Sequence, residues 1–146
     1  MPTRKATAEW QGGLQGGAGT FDGESGAVGG RYSFTSRFTE EGEGGATNPE
    51  ELVAAAHAAC FSMQFSAMLE AAGHTPDSVR TEAAVHILKE GEGFAIKRIV
   101  LTTVGRVPGA DDATFQDLAR QAKEICPIST ALGAVDAIEL EATLEA

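Results

Sequence analysis

The chain has 146 residues, 42% hydrophobic and 22% charged, enough for one domain with a real core. Its 11 basic residues stand against 21 acidic ones, a net charge of −10, which argues against a nucleic-acid ligand or an anionic membrane surface. Met1 to Trp10 carries charges but leads into Gly-rich polar sequence without an apolar h-region, so no secretory signal is visible and the expected location is the cytoplasm.

Residues 1 to 30 are punctuated by Gly12-Gly13, Gly16-Gly17 and Gly29-Gly30 and read as edge strands and turns. Arg31 to Phe38 alternates Tyr32, Phe34 and Phe38 against Arg31, Ser33, Thr35 and Arg37, which predicts a half-buried strand. Glu40 to Ala46 is an acidic, Gly-rich loop. Thr47 to His74 then predicts a long central helix: Asn48 can cap it, Pro49 suits its first position, Glu51 sits where a capping-box carboxylate reaches back, and Gly73 ends it. Leu52 to Leu69 is apolar or small at nearly every position, so burial on most sides is expected. The run reaches membrane-span length, but His57, Ser62, Gln64 and Ser66 make it a poor span.

Val79 to Ile87 and Phe94 to Thr103 predict a hairpin about the turn Lys89 to Gly93, and Pro108-Gly109 breaks the second strand. Asp111 or Asp112 caps a helix with Phe115, Leu118, Ala119, Ala122 and Ile125 at helical spacing. Cys126-Pro127 interrupts it and starts a short turn ended by Gly133. Ile138, Leu140, Ala142 and Leu144 alternate with acidic residues and Thr143 in a last strand with one wet face. These elements make an α+β fold. A helix apolar on most sides needs more cover than one chain offers, so a homodimer with this helix at or near the interface is expected.

Cys60 and Cys126 are the only cysteines; they fit no zinc spacing and no Cys-x-x-Cys motif. They are either inert core thiols or a working redox couple. Cys60, mid-helix, lacks the field of a helix N-terminus, and burial raises its pKa, so it needs a cation to react. Arg37 is the first candidate, with Arg31 as the fallback and His57 one turn away. Glu51 lies nine residues before Cys60, about 900° of rotation and about 13.5 Å along the axis. Neither it nor Glu50 can touch Cys60 of its own helix, so either acts through Arg37 or from a partner subunit. Cys126, before Pro127, sits where amides of the next turn favour a thiolate, so physics nominates it as the more acidic thiol. The histidines offer no metal-ligand set, and no cofactor is indicated. Phe61, Met63 and Phe65 suit either the core or an apolar substrate pocket.

Asn48-Pro49-Glu50-Glu51-Leu52, Ala56 to Met63 with His57 and Cys60, and Cys126-Pro127-Ile128-Ser129 resemble the OsmC branch of the OsmC/Ohr thiol peroxidases. That resemblance extends upstream through Tyr32 to Phe38 and implies a single OsmC-like domain over residues 1–146. The implied fold has antiparallel sheets around a long buried helix, in an intertwined homodimer. The implied activity is reduction of hydroperoxides, organic ones preferentially. Cys60 would attack the peroxide and become a sulfenic acid, and Cys126 would resolve it as a disulfide. Arg37 would hold Cys60 as thiolate, Glu51 would orient Arg37, and a lipoyl-type dithiol would be a plausible electron donor. A non-catalytic redox sensor or ligand-binding module on the same fold is the alternative.

Overall fold

A computed structural model describes residues 1–39 and 44–145, so residues 40–43 of the expected acidic loop lie outside the described residues. The chain divides into two compact units, Met1–Leu52 and Val53–Ala146.

The first unit is a three-stranded antiparallel meander of β1 (Ala6–Gln11), β2 (Ala18–Gly23) and β3 (Gly29–Tyr32). Trp10 opposes Gly19, which opposes Tyr32 on the far side. With no side chain at Gly19, the Tyr32 ring lies over it: an added Cβ would meet that ring at 2.4 Å. Tyr32 thereby reaches Trp10 and Phe21, at centroid distances of 5.6 and 6.2 Å. The strand expected over Arg31 to Phe38 stops at Tyr32, and a single 3-10 turn, Thr35–Arg37, follows. Ser33 and Ser36 explain the break. Each hydroxyl accepts from the other's backbone N–H at 3.0 Å, and the Ser36 hydroxyl also donates to the Thr47 carbonyl at 2.7 Å. Local serine-to-backbone bonds of this kind compete with strand pairing.

Helix α1 runs from Pro49 to Ala71. Asn48 caps it as expected, its side-chain oxygen accepting from the Glu51 N–H at 2.8 Å. Gly73, at φ +88, closes it: the His74 N–H bonds Leu69 and the Gly73 N–H bonds Glu70, each at 2.9 Å, the two bonds of a Schellman end. Within one chain the cover of this helix is partial. Only the row His57, Phe61, Phe65, Leu69 is fully enclosed, while Ala56, Ala59, Met63, Ala67 and Glu70 form an exposed row on another face. Small residues make the helix uniformly apolar in composition without making it uniformly covered.

The second unit holds most of α1 and a three-stranded sheet with β5 in the middle. β4 (Ser78–Glu90) and β5 (Gly93–Arg106) form the expected hairpin, with Gly91 at φ +61 in its two-residue turn. β6 (Ala137–Glu145) pairs with β5 in parallel, so this sheet is mixed rather than antiparallel. The reason is the crossover through α2 (Asp112–Ile125) and α3 (Pro127–Ala131). Asp111 caps α2 through the Thr114 N–H at 2.8 Å. Gln116 and Lys123 on α2 donate to the β6 carbonyls of Ala142 and Ile138 at 2.7 and 3.0 Å.

Ile99, Leu101 and Thr103 on β5 are fully buried at alternate positions, the period of a strand with one core face. Phe61 and Phe65 stack at 5.7 Å, and Phe65 meets Phe115 of α2 at 4.9 Å. A hydroxyl chain ties α1 to both strands of the hairpin. Ser62 donates to Thr81 at 2.8 Å and Thr81 to Thr103 at 3.0 Å, so these polar groups enter the core with partners.

Candidate active site

Both cysteines fall in the second unit and both are free thiols. Cys60 lies one residue off the enclosed row of α1, which leaves it half-buried. Cys126 lies at the junction of α2 and α3 and is fully buried. Its N–H closes α2 on the Ala122 carbonyl at 2.9 Å, and its ψ of 121° turns the chain out of the helix so that Pro127 can begin α3. The two thiols lie close enough for each to alter the titration of the other.

Their environments act in opposite directions. Burial pushes the Cys60 thiol above its ordinary value, and the adjacent Cys126 adds to the rise; the Ile128 N–H opposes it. Burial also acts upward on Cys126 and is the largest single influence there. The Ser129 N–H and hydroxyl, the Cys60 thiol and the Ile128 N–H together outweigh it, so Cys126 lies below its ordinary value. Cys126 is the more acidic thiol, as its place before Pro127 implied.

Two further buried polar side chains adjoin this pair. His57, on the enclosed row of α1, brings Nε2 to 2.7 Å from the Ser129 hydroxyl, and Ser129 is 6% exposed. Burial lowers the His57 pKa from that of ordinary histidine, so its ring is neutral near pH 7. Ser129 belongs to the motif that carries the family resemblance, but the sequence assigned it no function. The signal that could have found it is Cys-Pro-x-Ser itself, which puts a hydroxyl at the third position of a helix capped by the cysteine.

Arg37 and Glu50 belong to the first unit. The 3-10 turn presents the guanidinium, and the first turn of α1 presents the carboxylate. The two groups bind through both forks: Nε donates to Oε2 at 3.1 Å and Nη2 to Oε1. Hydrogen bonding to Glu50 raises the Arg37 pKa, with burial opposing. In this chain the carboxylate that binds Arg37 is Glu50, and Glu51, the residue expected to orient it, makes no such bond. One residue is about 100° of helix rotation. That turn leaves Glu51 exposed beside the Asn48 cap, while Glu50 is 8% exposed. Arg31, the fallback cation, donates instead to the Gly44 carbonyl at 2.9 Å.

The residues expected to line a substrate pocket divide between two settings. Phe61 and Phe65 are fully enclosed in the core of the second unit, and Met63 is 72% exposed on the uncovered face. Their alternation follows from the 100° step. An apolar recess of about 210 Å³ lies instead beside Arg37, walled by Trp10, Leu14, Tyr32, Phe34 and Pro49.

The profile of the OsmC-like protein family matches residues 42–141. The chain belongs to the OsmC-like family. This OsmC-like chain is 48% identical over 132 residues to peroxiredoxin OsmC of Escherichia coli K12, covering 90% of each protein. It is 38% identical over 92 residues to an organic hydroperoxide resistance protein of Xanthomonas axonopodis pv. citri, covering 60% and 61%. Among solved structures, an organic hydroperoxide resistance protein from Elizabethkingia anophelis superposes with a TM-score of 0.72 at 26% identity, covering 99% of this chain and 96% of that one.

Proposed function

We propose that this OsmC-like chain is a thiol peroxidase that reduces hydroperoxides, organic ones preferentially, through Cys60 and Cys126. The observation that carries the reading is the pair of facing free thiols, one half-exposed on α1 and one buried at the start of α3. The names of the relatives point to the same chemistry. Cys60 thiolate attacks one peroxide oxygen, the O–O bond breaks, and an alcohol leaves once its alkoxide takes a proton. Cys60 is then a sulfenic acid. Cys126 closes a disulfide with it and water departs; a dithiol, of the lipoyl type, reduces that disulfide.

Cys60 needs a cation because its own surroundings favour the thiol. Arg37, charged and held by Glu50, is the cation we propose for it, from the same subunit or its partner, and the recess beside Arg37 is apolar, as the organic part of a peroxide requires. The exposed row Ala56, Ala59, Met63, Ala67 supports a homodimer that covers α1. A cytoplasmic address suits a cysteine pair that must be returned to thiols after each cycle.

The test is steady-state reduction of tert-butyl hydroperoxide and hydrogen peroxide, with dihydrolipoamide and thioredoxin supplied separately. The expected result is faster turnover of the organic peroxide with the dithiol, abolished in Cys60→Ser. Repeated turnover by Cys60→Ser would sink the assignment.

A further inference from the structure

His57 and Ser129 have no part in the reaction as described so far, yet both are buried against the Cys126 end of the pair. Ser129 is the third residue of α3 after the Cys126 cap, and a side chain there points back at the cap residue. This side chain is among the groups that lower the Cys126 titration, and its oxygen lies 2.7 Å from His57 Nε2. His57 Nδ1 is enclosed and has no hydrogen-bond partner among the described residues. One arrangement of protons suits all three observations. A buried N–H without an acceptor is costlier than a buried lone pair without a donor, so the imidazole proton belongs on Nε2. It donates to Ser129 Oγ, and the Ser129 proton is then directed at Cys126 Sγ.

We infer that His57 and Ser129 form a positioning relay, Nε2–H to Oγ–H to Sγ, that holds Cys126 as thiolate when it attacks and when it leaves. The inference rests on the resolving role proposed for Cys126. In resolution, Cys126 thiolate attacks the sulfenic sulfur of Cys60. The S–S bond forms, the S–O bond breaks, and the departing hydroxide takes the proton lost by Cys126, giving one water. In the return half, a donor thiolate attacks Cys60 and Cys126 leaves as thiolate. The donor's second thiol then displaces Cys60, closing the donor disulfide; two protons and two electrons pass from the dithiol to the cysteines. Ser129 and His57 end each half with the protons they began with. A neutral His57, which its burial enforces, fits this part, because it donates without carrying charge.

The size of the effect follows from two opposing influences. Losing one donor to a charged sulfur leaves about tenfold less thiolate at a fixed pH below its pKa. Nucleophilicity falls with pKa at a slope of about 0.4–0.5, so each remaining thiolate attacks about threefold faster. The net expectation for Ser129→Ala is disulfide closure about threefold slower.

Single-turnover stopped flow on the full chain with tert-butyl hydroperoxide separates Cys60 oxidation from disulfide closure. The relay predicts that Ser129→Ala lowers the ratio of closure rate to oxidation rate about threefold, and that Ser129→Thr restores it. In a Cys60→Ser background, Ser129→Ala should cut the ultraviolet thiolate absorbance of Cys126 about tenfold. Nitrogen NMR of His57 in the unsubstituted chain should find the proton on Nε2. A proton on Nδ1, or closure and absorbance unchanged in Ser129→Ala, overturns the relay alone. So does an equal slowing of both phases with a lowered Tm, the mark of a merely structural serine. An unsubstituted chain that forms no Cys60–Cys126 disulfide under peroxide overturns the resolving role and the relay with it.

Discussion

Cys60 and Cys126 are the same side chain in two settings, and the settings differ by position along a helix. Cys60 sits mid-helix, where every nearby backbone N–H of α1 is committed to the helix ladder. Cys126 sits where one helix ends and the next begins, so free amides of α3 and the Ser129 hydroxyl can serve its sulfur. Desolvation therefore wins at Cys60 and loses at Cys126. The lesson is a division of labour: the thiol proposed to meet peroxide depends on charge from outside its helix, whereas its partner carries its own support.

The sharpest way to break that division is to remove the self-supported thiol. Cys126→Ser should allow a single oxidation of Cys60 per chain and then stall, with sulfinic and sulfonic forms of Cys60 accumulating in intact-mass spectra. Sustained turnover at the unsubstituted rate would show that Cys126 resolves nothing.

A smaller effect tests the outside charge. Glu50→Gln should lower kcat/KM for the organic peroxide by about tenfold, equivalent to about 1.4 kcal/mol of lost positioning of Arg37. Glu51→Gln, altering an exposed carboxylate beside the cap, should leave it nearly unchanged. Equal losses from both would return Glu51 to the site.

The smallest effect concerns the neutral ring behind Cys126. The folded pKa of His57 is lowered by burial, so below about pH 6.5 the unfolded chain binds a proton that the folded chain refuses. Stability should therefore fall as pH drops from about 6.5 toward the folded pKa, by at most about 1.4 kcal/mol per pH unit from this group. Above about pH 6.5 the group contributes no slope. Urea unfolding from about pH 5 to pH 7.5 should show this component in the unsubstituted chain and its loss in His57→Gln. A variant that keeps the full slope would place the titration elsewhere.

Local chemistry carried much of the architecture in readable form. Asn48-Pro49 and Gly73 marked α1, alternation marked the β4–β5 hairpin and β6, and Asp111 marked α2, because caps and periodicities act within a few residues. Arg31 to Phe38 misled for an equally local reason, since alternation cannot register two serines that cap each other. The contrast between the thiols was legible too, because burial of a mid-helix run and the Pro after Cys126 both lie in the sequence.

Tertiary structure decided the rest. Whether Glu50 or Glu51 meets Arg37 depends on which side of α1 turns toward the 3-10 segment, and both glutamates have the same chemistry. Which aromatic residues of α1 face the core depends on the rotation of a helix that is apolar nearly all round, so composition offered no phase to read. The pairing of His57 with Ser129 joins residues 72 apart in the chain, and no spacing rule spans such a distance. The sequence by itself determined the two thiols, the caps and the order of elements through short-range forces. Only packing in three dimensions chose the carboxylate, the buried row and the hydroxyl that stands behind Cys126.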